Sequence, residues 1–465
     1  MKGILIDFGS TFTKVIVVDV EKGKLLARSK SASTVRTDVT IGLRRALSNI
    51  ELKLSDLKRR KFDYKLSCSS AAGGLRMVSI GLVPQFTVEA AKKAALGAGA
   101  NVLEVYAYDL TSDELKRIEA QNPDIILLVG GCDGGDRETV LHNAYVLANS
   151  CLAAPVVVGC NKDASEEVAM ILKDGGKDVR TTENVMPELW ELNIEPAKEE
   201  IRKVFLEKIV DAKGLDKVKN VVDVLMPTPS ATLKAVELLA KGTENQVEFG
   251  HLLTIEVGGA TTNVYSVSEG MPTRSNTILR GFKEPHVKRT VEGDLGLRYN
   301  ANSILDKAGE RKFMEKLCEE GLERDLDICE RVQYLCKHTS FIPKSDEDFA
   351  VDAALARTAV EIAVERHSGR LTELKFPTGI SFIQKGKDLT NVENVIGTGG
   401  GIVYEKHPNG ILSEALFDPT NPFVLKPKNP KLWIDKNYVF WAMGLLADIV
   451  PDTAIAIMKR SLTIV

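Results

Sequence analysis

Two stretches of the chain share one rhythm of apolar and polar positions. In the first, the apolar run 4–6 ends at Asp7, a turn of Gly9, Ser10 and Thr11 follows, and a second apolar run leaves over 15–18. In the other, the run 252–255 ends at Glu256, turns through Gly258, Gly259, Ala260 and Thr261, and leaves over 264–267. Apolar runs joined by a short Gly-rich turn predict β-hairpins. Laid over each other, Asp7 falls on Glu256 and Thr13 on Thr262. A repeat spaced by a whole domain predicts two duplicated lobes, each giving one hairpin to a shared cleft. A third turn, Gly397, Thr398, Gly399, Gly400 and Gly401, follows the apolar pair Val395 and Ile396.

Between these turns the periodicity lengthens to that of helices. Leu43, Leu47 and Ile50 predict a helix over 39–50, and an Ala/Glu/Lys-rich segment another over 88–96. A βαβ pattern follows: a helix at 114–120 capped by Ser112 and Asp113, a strand at 124–129, a glycine turn at 130–136, a helix at 137–148 and a strand at 155–158. In that turn Asp133 and Asp136 would compete with a phosphate for a helix N-terminus, so it reads as a structural crossover or the edge for a non-phosphate partner. Segment 178–220 is charged and reads as a helical connector. Ser230 is placed to cap a helix over 231–240. An apolar helix is expected at 353–364, and another at 438–448, where Ala442 and Gly444 permit close packing.

Composition narrows the class. At ~100–200 residues per domain, 465 residues predict two to four domains. Hydrophobic content of 44% and charged content of 27% are those of an ordinary soluble protein. A net charge of −3 supplies no basic field for nucleic acid or an anionic membrane. Asp7 interrupts the first apolar run, no cleavage site follows, and no run reaches the ~20 apolar residues of a membrane span, so a cytoplasmic protein is expected. The seven cysteines are dispersed without a C-x-x-C pair, against a disulfide framework or a zinc site. Cys329 and Cys336, seven apart on one helix face, read as buried small hydrophobes or, alternatively, as iron–sulfur ligands.

The turns carry the chemistry. Glycine lets backbone N–H groups approach phosphate oxygens, hydroxyls and Lys14 add donors, and a carboxylate at the strand end holds hydrated Mg²⁺. A flat adenine–ribose face can lie against the triple-glycine backbone. The segment 284–299 reads either as a solvated loop or as a cleft-side segment whose Lys288, Arg289 and Arg298 answer phosphate or partner carboxylates. Glu405, His407 and Gly410 approximate the D-x-H-x-x-G pattern of cobalamin binders, with Glu for Asp, and coincidence is the favoured reading.

Together the three turns resemble the phosphate-1, phosphate-2 and adenosine motifs of the actin, sugar-kinase and heat-shock-chaperone ATPase superfamily. Stretches 7–14, 69–76, 130–136, 227–242, 256–264, 284–299, 397–401 and 438–447 more specifically resemble the GlmL/MutL-type accessory proteins. That resemblance implies an α/β fold of two ribonuclease-H-like lobes with an inserted βαβ subdomain. The expected division is 1–64 for the first half of lobe I, 65–180 for the insertion, 181–249 for the rest of lobe I with a connecting helix, 250–436 for lobe II and 437–465 for a C-terminal connecting helix. It implies an ATPase, with slow turnover open, that reactivates an adenosylcobalamin-dependent glutamate mutase or amino-acid aminomutase by expelling damaged cobalamin. By position, Asp7 and Glu256 would be catalytic and order Mg²⁺ through water. Gly9, Ser10, Thr11, Thr13 and Lys14 would contact phosphate from one lobe. Gly258, Gly259, Thr261 and Thr262 would do so from the other, and Gly397, Thr398, Gly399, Gly400 and Gly401 would hold adenosine.

The sequence departs from the family pattern at Glu256, where Asp is usual, and at Asn263, where a second Asp is usual; slow hydrolysis would follow. The expected partner is the mutase subunit, with no nucleic acid and no membrane, and with a homo-oligomer left open. Three other readings stay open: an activator ATPase of a radical dehydratase, a small-molecule kinase of the same superfamily, and a nucleotide-gated interaction module without turnover.

Overall fold

Runs that are apolar at almost every position become the central strands of two sheets, buried on both faces. The strand Leu252–Val257 is buried throughout, and Lys2–Phe8 is buried at every position after Lys2. The computed structural model describes residues 1–465 except 36, 59–60, 71–75, 85, 99–100, 211–217, 219–221, 323–325 and 378. The basic run at 58–61 and the turn at 71–74 therefore lie wholly or partly outside the described residues. The chain forms two units, one of Met1–Ser70 with Lys213–Val465 and one of Ala71–Ala212.

In the first unit, Lys2–Phe8 pairs antiparallel with Phe12–Asp19, which pairs antiparallel with Lys24–Ala32. On its other side it runs parallel to Tyr64–Ser69, and that strand parallel to Asp223–Pro227. Numbered by appearance, the order is 3-2-1-4-5. The second sheet repeats it. Leu252–Val257 is flanked by antiparallel Thr262–Val267 and then Val287–Glu292, and on the other side by parallel Asn394–Thr398 and Lys431–Asp435. A short antiparallel strand, Leu462–Ile464, extends that edge. Same order and same directions make two ribonuclease-H-like lobes. A three-stranded sheet of Thr277–Leu279, Gly379–Lys385 and Arg370–Phe376 is attached to the second lobe's chain.

One core is common to both lobes, and the second lobe has a further one of its own that includes Leu253, Ile255, Val360 and Val395. Leu5, Ile16 and Val18 from the first sheet and Leu252, Tyr265 and Val267 from the second join Ala231, Ala235, Phe440, Trp441 and Met443 in a single buried cluster. The helices Thr228–Lys241 and Phe440–Leu446 meet there so closely that a Cβ on Gly444 would overlap the Ala231 carbonyl. The 22-residue helix Asp346–His367, started by a Ser345–Asp348 capping box, backs the second lobe.

Several boundaries differ from expectation. The helix expected to start after Ser230 starts at Thr228, with Pro229 in its first turn and no side-chain cap, because its N-cap residue is Pro227; the Thr228 hydroxyl donates to Asp7. The helix Ser112–Gln121 is capped by Thr111 in a capping box with Glu114, not by Ser112 or Asp113. The segment 284–299 is not a solvated loop: Val287–Glu292 is a strand of the second lobe's sheet, its charges tolerated at the edge.

The second unit is a sheet of five parallel strands in the order Asn101–Ala107, Arg76–Gly81, Ile125–Leu128, Val156–Val158, Val179–Thr181. This is the doubly wound 2-1-3-4-5 arrangement. Its glycine turn is held from within, as Asn184 Nδ2 donates to the Gly131 carbonyl at 3.1 Å and to Asp133 at 2.8 Å. Val179–Thr181 was hidden in what reads as connector, because three residues with one apolar member carry no periodic signal.

Candidate functional site

Antiparallel pairing puts a chosen residue directly opposite each strand-end carboxylate. In the first hairpin Asp7 lies across from Lys14, and in the second Glu256 lies across from Asn263. Both hairpins turn their tips toward one cavity of about 420 Å³. Its walls include Asp7, Gly9, Ser10, Thr11 and Lys14 from one lobe and Glu256, Gly258, Gly259, Thr261 and Asn263 from the other. Gly9 is required at its turn, since any Cβ would run into the Phe12 carbonyl. Gly259 lets the two tips meet: a Cβ there would stand 2.7 Å from Thr11 Oγ1.

The carboxylates are tied together across the cleft floor. Asp7 is fully buried, accepting from Lys14 Nζ at 2.6 Å and from Thr228 Oγ1 at 2.6 Å. Lys14 also donates to the Tyr438 hydroxyl at 3.3 Å, and that hydroxyl donates to Glu256 Oε1 at 3.2 Å. Tyr265 donates to the other Glu256 oxygen at 2.7 Å. Burial works against the charged Lys14 ammonium, but Asp7, Tyr438 and Glu256 outweigh it and hold its pKa above the ordinary lysine range. Burial pushes the Glu256 carboxyl above the ordinary range, the two tyrosine hydroxyls and Lys14 only partly opposing it. Burial likewise raises the Tyr438 phenol. Each carboxylate oxygen keeps a second lone pair, so both acids retain acceptor capacity toward the cavity.

Not every expected residue reaches the cavity. Thr13 is buried behind it, its hydroxyl without a hydrogen-bond partner among the described residues. Thr262 is buried and donates to the Leu295 carbonyl at 2.7 Å. In the third turn Gly397 is packed under Ile402 and Leu412, Thr398 donates to Asp435, and Gly399 is the left-handed residue that starts a short helix. Only Gly400 and Gly401 of that turn line the cavity. Two cations of 284–299 are committed elsewhere, and the third, Arg289, is buried with Nε and Nη1 unpartnered among the described residues. Lys288 donates to the His367 carbonyl at 2.9 Å, Arg289 is buried in the sheet, and Arg298 holds Asp352 bidentately at 2.9 and 2.5 Å. Arg298 alone of the three lines the cavity.

Thr228, Tyr265 and Tyr438 belong to the site without having been singled out as site residues, and Glu405 belongs to it through a stretch whose likeness to a motif was read as coincidence. Glu405 forms part of the cavity wall, whereas His407 of the same D-x-H-x-x-G-like stretch is exposed at the start of the helix Pro408–Ser413.

Thr11 Oγ1 is buried at the cavity with no partner among the described residues. An orphan hydroxyl beside Gly9 and Gly259 fits phosphate oxygen. Among the described residues no three His, Cys, Asp or Glu side chains converge as a metal site. Asp7 and Glu256 could thus hold a hydrated Mg²⁺ only with water and phosphate completing its shell. Cys329 is exposed and Cys336 half-buried on the helix Ile328–Lys337.

Two lobes of one topology, sharing a core and facing a cleft with acid-tipped hairpins, define the actin-like ATPase fold. Residues 3–462 match the MutL protein family, and Protein MutL of Clostridium tetanomorphum is 47% identical over 460 residues, covering 99% of this chain and 98% of that one. The chain belongs to the MutL protein family. Solved structures overlay only loosely. Ethanolamine utilization protein EutJ of Carboxydothermus hydrogenoformans gives a TM-score of 0.27 at 10% identity, over 98% of this chain and 90% of its own. Xylulose kinase of Bifidobacterium adolescentis gives 0.31 at 10% over 100% and 95%, and a glycerol dehydratase reactivase 0.32 at 9% over 96% and 99%. The fold assignment rests on strand order, not on these overlays. Among the described residues no helix is long and apolar enough to cross a membrane.

Proposed function

We propose that the cleft binds ATP with Mg²⁺ and that turnover drives this protein as a reactivase, releasing inactive cobalamin from an adenosylcobalamin-dependent amino-acid mutase or aminomutase. The observation that carries the nucleotide reading is the pair of acid-tipped hairpins linked through Lys14 and Tyr438 around the unpartnered Thr11 hydroxyl. Membership of the MutL protein family supports the choice of partner. Gly9, Ser10, Thr11 and Lys14 would grip phosphate from lobe I, and Gly258, Gly259 and Thr261 from lobe II. Gly400 and Gly401 would lie beside the nucleoside. Thr13, Thr262, Gly397, Thr398 and Gly399 would shape these turns from behind. Bound Mg²⁺ would offset phosphate charge.

The chain's own contribution to hydrolysis is positioning. Asp7 orients a water whose oxygen bonds to the γ-phosphorus as the bridging P–O bond breaks, giving ADP and phosphate, with the water's proton accepted by carboxylate or phosphate oxygen. A ligand gripped by both lobes favours their closed arrangement, and its hydrolysis removes that preference. Asn263 in place of a charged residue opposite Glu256 supports slow turnover.

The test mixes the protein with an aminomutase inactivated by hydroxocobalamin. Cobalamin release and recovered mutase activity that require ATP and Mg²⁺ are expected; release without nucleotide overturns the mechanism.

A further inference from the structure

The cavity has a second character besides the polar hairpin tips. Its walls also include Phe341, Ile342, Pro343, Phe349 and Tyr404, an apolar lining suited to a flat heterocycle. Two carboxyls, Asp352 and Glu405, share the cavity wall with it. Glu405 lines this wall, follows the Gly400 and Gly401 turn, and has no hydrogen bond or ion pair to its side chain among the described residues. Its acidic neighbour Asp352 is held bidentately by Arg298, whereas no such partner occupies the Glu405 carboxyl among the described residues.

We propose that Glu405, in its neutral form, reads the purine base: its O–H donates to a ring nitrogen of adenine while its carbonyl accepts from the 6-amino group. This deepens the nucleotide reading above and rests on it. The two protonation states of a carboxyl have different complementarity. A neutral acid presents one donor and one acceptor, which matches the edge of adenine. An ionised carboxylate presents acceptors only, which matches the adjacent N–H and NH₂ donors of guanine.

The surroundings select the neutral form. Burial pushes the Glu405 carboxyl up to about 8, with Asp352 and Glu320 adding to the rise and Arg298 and Lys406 opposing it. Lys30, the cation facing this region of the cavity from the other lobe, has its ammonium over the Tyr404 ring at 3.6 Å. The neutral acid therefore prevails below about 8 and is lost as pH rises through it. Discrimination between the bases follows the same course, and a mismatched donor or acceptor in such a wall is worth on the order of tenfold or more in affinity.

Titration calorimetry of the full chain with ATP·Mg²⁺ and GTP·Mg²⁺, well below and just above that titration, tests the assignment. Wild type is expected to prefer ATP by about tenfold or more at the lower pH, and to lose most of that preference at the higher. Glu405→Gln, whose amide keeps one donor and one acceptor at any pH, should retain the preference at both. It also controls for ionisation of the nucleotides themselves. An ATP-to-GTP ratio in wild type that does not change with pH, or a Glu405→Gln ratio that falls as wild type's does, overturns the role of Glu405 while leaving nucleotide binding intact. Failure of wild type to bind either nucleotide overturns the nucleotide reading along with it.

Discussion

Glu256 carries the tension between stability and function in this cleft. It is 5% exposed, and its carboxyl is held by two tyrosine hydroxyls where Asp7 has a lysine. Burial raises its pKa above the ordinary 4.5, so the folded state binds its proton more readily than the unfolded chain does. Stability from this group is then fully present below about 4.5 and is lost as pH rises through the raised folded value. Glu256→Gln removes that loss. Relative to wild type, its urea midpoint is expected to improve progressively above the ordinary carboxylate range, while any ATP turnover falls sharply; parallel midpoint–pH curves would contradict this.

The tips of the hairpins were legible because Gly, Thr and an acid cluster within a few residues. The partners were not. Thr228 lies 221 residues from Asp7 and Tyr438 lies 182 from Glu256, and a hydroxyl inside an apolar stretch gives no local sign of what it meets.

At the scale of elements, the strands with unbroken apolar runs were readable and the charged strand Val287–Glu292 was not. Val287–Glu292 hides its sheet position behind Lys288, Arg289 and Glu292, whose stems pack while the heads of Lys288 and Glu292 find partners outside the sheet. The helix Phe440–Leu446 is the opposite case. All seven residues are buried, and the Ala442 and Gly444 pair announces close packing before any partner is known. The partner is the backbone of the helix Thr228–Lys241 at Ala231, a carbonyl that cannot rotate away as a side chain would. Gly444→Ala must therefore push apart a pair of helices whose core is common to both lobes. A loss of about 3 kcal/mol is expected in urea unfolding, against a gain if only helix propensity mattered.

At the scale of the whole molecule, the repeat of acid-tipped hairpins made the duplicated lobes legible, since 3-2-1-4-5 sheets place both tips on equivalent strands. The doubly wound sheet of 71–212 was legible only in part, as a βαβ fragment, because Val179–Thr181 has three residues of which one is apolar. That sheet has its own core, built on Val78, Ile80, Ile126, Leu128, Val156 and Val158, whereas the lobes are joined by the shared cluster around Trp441, which includes Leu252 of the same strand that carries Leu253 and Ile255 into the second lobe's own core. Separate cores predict two heat-absorption transitions in calorimetry, and a shared one predicts that the lobes melt together. Nucleotide bound by the lobes stabilises only the folded state it contacts, by about 2.7 kcal/mol at about a hundredfold excess over Kd. ATP with Mg²⁺ is therefore expected to raise one transition by several degrees and leave the other in place, with chelation of the metal reversing the shift. Splitting of the lobe transition, or an equal shift of both, would show that the cleft and the cores are not coupled in this way.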